Sequence, residues 1–415
     1  MWKDERIGAA AEAVTEGDAV ILAHRADIDA GLEINPYLID GAGAMSYEGT
    51  TVAVSPDERY LARFLQVTPW LEVRQQIDGA YRMIELPDAL KTAMANAAGS
   101  ASKTRDSRLV FDADSEYLIL HGSSDHKVYV IDLSNLTVVN SFVASNSSTG
   151  YATIAIRKSD NLLAVGQRTS SSFSGVAKLY RNWLTSSTVE REVSLPNICN
   201  HLDFTNDGKY MISCYSNGNA SEFYGLAVND TQTWSRTAYI SAGAYRQGLA
   251  VSPDGRMVAL GAKGLPLYEI SEDGKLTALP SPANAPTDSC NGICFTRDGK
   301  YLLYGSYSVD EGIMIYRVDG KTLTKIASGI TGRIYGLTCS ENTLFTLTPT
   351  AGKYLIACDL HTRPTVYQMT PDNLYASMLG RTKSGAAVAL QDAAIGQDCK
   401  VNLLRPLNDA IGSTI

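Results

Sequence analysis

Nine side chains suited to holding a charged or hydroxyl-rich ligand recur at one place in this chain's pattern. They are Arg108, Tyr151, His201, Arg246, Gln247, Asn291, Arg333, Tyr335 and Tyr375. Each stands at or just ahead of a short apolar stretch, and their identities change from one stretch to the next. Guanidinium groups fork onto carboxylates and phosphates, while tyrosines and amides pack against and hydrogen-bond a sugar. That chemistry is binding. The acids behave differently: Asp57, Asp114, Asp160, Asp207, Asp254 and Asp298 return in the turns of six successive units, which marks them as architectural.

Other chemical signatures fail on spacing or context. Gly320-Lys321-Thr322 resembles the end of a phosphate loop, but Ile315 stands where its first glycine is required. The segment also leads into a strand rather than a helix N-terminus, so it reads as a hairpin turn. Cys290 with Cys294, and Cys199 with Cys214, are the Cys groupings to weigh as metal ligands, with His121 and His126 flanking a turn. No CxxC pair accompanies them, and they read as small buried hydrophobes. No Gly-x-Ser-x-Gly elbow is present. The expectation is a protein without enzymatic activity, metal or cofactor.

The elements that must position the nine residues follow from a repeat. Its clearest copies are Leu202-Asp203-Phe204-Thr205-Asn206-Asp207-Gly208-Lys209-Tyr210-Met211, Leu249 to Val258 and Ile293 to Leu302. Taking Val52, Leu109, Ile154, Leu202, Leu249, Ile293, Leu337 and Met378 as markers, the spacings are 57, 45, 48, 47, 44, 44 and 41. A repeat in the forties built of short strands predicts an all-β, single β-propeller of four-stranded blades. The count is eight blades; seven is the alternative if the degenerate first or last unit is not a blade. The nine residues then converge on the mouth of the central channel.

Pro87 to Ala97, rich in alanine and ending near Gly99, predicts a short helix inserted between the first two blades. Residues 3–16 predict another. Ala19–Ala23 is an apolar strand left over before the first blade, and it is expected to close the ring as the outer strand of the last blade. The predicted organisation is residues 1–50 as N-terminal helix and closing strand, 51–405 as propeller with its insertion near 87–98, and 406–415 as a tail.

The turn Ser252-Pro253-Asp254-Gly255-Arg256 and the strand Val128-Tyr129-Val130-Ile131-Asp132-Leu133 resemble WD40-like and YVTN-like β-propeller repeats. The resemblance spans Thr51 to Arg405 and implies the fold, with no function attached. The Trp-Asp pair is missing, since Ile131-Asp132, Tyr268-Glu269, Tyr316-Arg317 and Cys358-Asp359 fill its slot.

Net charge of −8 without a basic cluster argues against a nucleic-acid partner. The longest apolar run near the N-terminus, Ala19–Ala23, is too short to insert in a membrane. An acidic start lacking an apolar core, together with seven cysteines, predicts cytoplasmic synthesis in a reducing compartment. The leading expectation is a non-enzymatic interaction platform with protein partners, or a structural component of a larger assembly such as a bacteriophage virion or tail. The alternative is a propeller enzyme or a carbohydrate- or small-ligand-binding protein that uses the channel mouth.

Overall fold

The computed structural model describes residues 5–10, 19–23, 32–40, 51–65, 68–77, 80–99, 108–122, 124–144, 152–168, 175–196, 199–215, 225–241, 248–328, 332–334, 336–339, 343–347, 355–362, 365–368, 385–389 and 398–406, with the backbone path alone before 51 and beyond 339. The chain divides into two compact units, residues 36–359 and the paired terminal segments 1–35 and 360–415.

The larger unit is a β-propeller. Six blades each use four consecutive strands in simple up-and-down order. Their inner strands are Thr51–Val54, Arg108–Phe111, Ala152–Arg157, Cys199–Phe204, Leu249–Val251 and Cys290–Phe295. A seventh, composite sheet takes Gly336–Cys339, Thr343–Leu347 and Leu355–Thr362 in sequence and finishes with the N-terminal strand Leu32–Asp40. Each inner strand packs beside the next, and Gly336–Cys339 meets Thr51–Val54, so the ring closes.

Three expectations are corrected here. Neither eight nor the alternative seven blades of consecutive strands are formed: six are, and the strands of the last predicted unit, Gly385–Ala389 and Asp398–Pro406, join a separate closed barrel. That barrel orders them with Glu5–Ala10, Thr365–Gln368 and Ala19–Ala23, and the marker Met378 lies outside the described residues. Ala19–Ala23 does pair with the C-terminal strand Gly385–Ala389, but in the barrel and not in a blade. The strand that completes the ring is Leu32–Asp40. Its Pro36 hides it from a strand reading, yet an outermost strand has one unpaired edge where the missing N–H costs nothing. The predicted N-terminal helix is also replaced: Glu5–Ala10 is a strand, antiparallel to Asp398–Pro406, so pairing overrides alanine's helical preference.

The inserted helix spans Asp88–Ala98 as expected. Pro87 precedes it, and Gly99 ends it at φ +61° while donating its N–H to the Ala95 carbonyl. Its buried residues Leu90, Met94, Ala97 and Ala98 join Phe64, Leu71, Leu109, Phe111 and Leu118 in the apolar seam of the first two blades. Similar seams, such as Ile119, Val130, Ile154, Leu163 and Val165 between the second and third blades, hold the ring together. The seams need close approach. An added Cβ on Gly261 would stand 2.3 Å from the Cys290 sulfur of the next blade, so only glycine fits.

The repeated aspartates are spent on turns. In the sixth blade the Thr296 hydroxyl donates to Asp298 Oδ1 at 2.7 Å, which accepts the Lys300 N–H at 3.0 Å. The Tyr301 N–H returns to the Thr296 oxygen at 3.1 Å, and Gly299 takes φ +73°. Ser252-Asp254, Thr205-Asp207 and Ser55-Asp57 repeat the arrangement. Thr296→Val keeps the shape but strands the buried Tyr301 N–H, so urea denaturation is expected to show a loss of about 1–3 kcal/mol. An unchanged midpoint would refute that role.

Candidate functional site

The sequence of the second blade begins with Arg108, half-buried at the first position of its inner strand. Antiparallel pairing sets His121, the last residue of strand Tyr117–His121, directly opposite it. Paired residues share a face of the sheet, here the face toward the third blade that also carries Ile119 and Val128. His121 is fully buried, and neither ring nitrogen has a hydrogen-bond partner among the described residues. Burial, then the charges of His126 and Arg108, push its pKa down to about 3, so it is neutral at pH 7.

His201 enters from the fourth blade, half-buried on Cys199–Phe204 beside Asn200. Burial and then Arg108 lower its pKa to about 4. The guanidinium of Arg108 therefore bears on imidazoles from two blades. Two residues beyond His201, and so on the same face of the strand, lies Asp203. Burial raises its carboxyl, against the Phe204 N–H bond of 2.8 Å and the charge of Lys158. One cation thus bears on two imidazoles, His121 and His201, that burial holds neutral, while Asp203 lies further along its strand toward Lys158.

Of the nine predicted residues, Arg108 and His201 are brought together. Arg333 is placed elsewhere: its guanidinium lies 4.2 Å from the Tyr307 ring centre and donates to the Tyr307 hydroxyl at 3.3 Å. Asn291 is in the strand Cys290–Phe295, with its backbone alone described. Tyr151, Arg246, Gln247, Tyr335 and Tyr375 lie outside the described residues. His121 was legible only as a residue flanking a turn, because its pairing with Arg108 depends on hairpin register. Among the described residues, no group of three or more His, Cys, Asp or Glu side chains is placed to hold a metal ion.

No protein-family model matches the chain. No curated protein sequence matches it either. The fold, however, is shared. Among solved structures the chain is similar to one titled Kuenenia stuttgartiensis hydrazine synthase, with a TM-score of 0.56 at 12% identity over 77% of this chain and 96% of that one. The likeness is one of fold. It agrees with the β-propeller and the WD40-like character read from the repeats.

Proposed function

We propose that the chain is a non-enzymatic recognition platform whose ring presents the Arg108–Asn200–His201 sector to an acidic surface of a protein partner. The observation that carries this reading is the contrast between two sets of polar residues. The turn aspartates repeat from blade to blade and are satisfied internally, whereas Arg108 and His201 stand at one position of the repeat, just ahead of Leu109 and Leu202, where other blades carry Thr51, Thr153, Gly248 and Gly292. Blade-specific polar groups on a rigid ring are what selective recognition requires. A terminal barrel separate from the ring supplies a second module, which suits a component of a larger assembly, a virion among them.

A second reading has its own support. The unpartnered His121 beneath Arg108 fits a small carboxylate or phosphate seated in that sector. One comparison separates the two: Arg108→Glu against the unaltered chain, in retention of host proteins at moderate salt and in thermal shift with phosphate and simple carboxylates. The platform reading expects a specific protein that binds the purified chain and weakens at least tenfold with Arg108→Glu. Equal retention by both chains would defeat it. An anion-induced shift in the unaltered chain alone would install the small-ligand reading in its place.

A further inference from the structure

Cys294 and Cys339 face one another across the join between the sixth blade and the composite blade. Two residues earlier on both strands, Gly292 is pressed so close to Leu337 that an added Cβ would stand 2.5 Å from the Leu337 Cβ. This contact holds the inner strands Cys290–Phe295 and Gly336–Cys339 side by side. Alternation then turns Cys294 toward the neighbouring blade, as it turns Gly292. The Cys339 sulfur donates to the carbonyl of Phe295, the residue next to Cys294, at 3.2 Å, and Cys339 is the largest influence on the Cys294 thiol. Both are free and partly exposed.

Cys199 and Cys290 differ: they are fully buried, and each fills the space left by a glycine, Gly166 and Gly261 respectively. Free cysteines usually serve as small packing groups. Packing alone does not require two thiols to meet on adjacent strands at partial exposure, and it is such meetings that allow a disulfide to form without moving the backbone.

We propose that Cys294 and Cys339 are an oxidisable thiol pair, closed to a disulfide by hydrogen peroxide, that tethers the sixth blade to the composite blade. In the first step one sulfur attacks the peroxide. An S–O bond forms, the O–O bond breaks, and water leaves with the thiol proton. In the second step the other sulfur attacks the sulfenic sulfur, so that an S–S bond forms, the S–O bond breaks, and a second water leaves. Two thiols are oxidised and one peroxide is reduced to two waters.

The tether has a structural consequence. The composite blade is the one whose outermost strand, Leu32–Asp40, is recruited from far away in sequence, so it is the blade with the longest loop to close. A covalent link at its inner strand adds a second tie to the sixth blade, beside the short chain connection from Thr322–Ser328 to Gly336–Cys339. Hydrogen bonding to Cys339, followed by burial, raises the Cys294 thiol well above its ordinary range, so the reaction accelerates as pH rises.

The test is to treat the intact, folded chain with hydrogen peroxide, alkylate remaining thiols, digest without reductant and identify linked peptides by mass spectrometry. The expected result is a single Cys294–Cys339 link, faster at pH 9 than at pH 7. It should remove two of the seven thiols, reverse with dithiothreitol and be absent from both Cys294→Ser and Cys339→Ser. The linked chain should also melt at a higher temperature than the reduced one. Circular dichroism of the two serine variants checks that the ring is intact. Stable sulfenic or sulfinic acid on either cysteine without a link would overturn the proposal. So would a link preferring another partner, or complete alkylation of both thiols after oxidation.

Discussion

Glu72→Ala is expected to destabilise the ring by about 3–5 kcal/mol, the cost of removing one member of a buried ion pair. Glu72 Oε2 accepts from Arg63 Nε at 2.5 Å, and Arg74 Nη2 lies 3.6 Å from the same oxygen. The three residues are 2%, 6% and 6% exposed for Arg63, Glu72 and Arg74 in turn, so little water is at hand to replace the carboxylate. They share one face of the first blade, since strands Tyr60–Phe64 and Leu71–Ile77 pair Arg63 with Glu72 and Leu61 with Arg74. The opposite face, with Tyr60, Ala62, Leu71 and Val73, is apolar and packs in the seam with the second blade.

The urea midpoint should fall with an unchanged slope, as it does when stability alone is altered. A joint replacement of all three by apolar residues of similar volume should be near neutral, because the desolvation penalty disappears together with the attraction. A loss under about 1 kcal/mol for Glu72→Ala would show that water reaches the cluster, as it does for exposed pairs.

Acidification should destabilise the protein through His121. An unfolded histidine titrates near 6.5, whereas His121 in the fold is held at about 3. Between those values the unfolded state binds a proton that the folded state refuses, so stability is lost as pH falls from 6.5 toward 3. From pH 7 to pH 5 this amounts to about 2 kcal/mol at 1.36 kcal/mol per unit. His201 acts in the same direction, as its own pKa is held at about 4. His126 and Arg108 supply the neighbouring positive charge, and neither would ease protonation of His121.

His121→Phe should remove this share of the pH dependence. At pH 7 it should be neutral or stabilising, because it replaces a buried side chain whose nitrogens have no partner. Parallel stability curves for the two chains between pH 7 and pH 5 would sink the argument. The Asp160 carboxyl has the same sign in a lower window. The hydrogen bond from Arg157 hold it at about 2 against burial, with Arg181 helping, so its contribution is lost below the ordinary carboxylate range.

The candidate site was partly readable because its residues belong to the repeat. Arg108 and His201 sit at or just ahead of the apolar markers Leu109 and Leu202, and a shared place in the repeat becomes a shared end of the ring. His121 lies thirteen residues beyond Arg108, and only the hairpin register returns it there. The meeting of Cys294 with Cys339 was not readable at all. It depends on the small offset between neighbouring inner strands, which Gly292 allows by lacking a side chain.

Blade architecture was determined by the chain itself. Two-residue alternation, the Ser/Thr-x-Asp turn with its glycine, and the Pro87–Gly99 helix are encoded within a few neighbouring residues, where local geometry leaves little choice. Ring closure was decided only in three dimensions. Sequence offered Ala19–Ala23 for the open edge and gave no sign of Leu32–Asp40, which Pro36 interrupts. The tertiary structure gives the edge to the latter and commits the former to a barrel with the C-terminal strands. Strand pairing between distant segments is a competition among edges, and no window of local sequence contains its outcome.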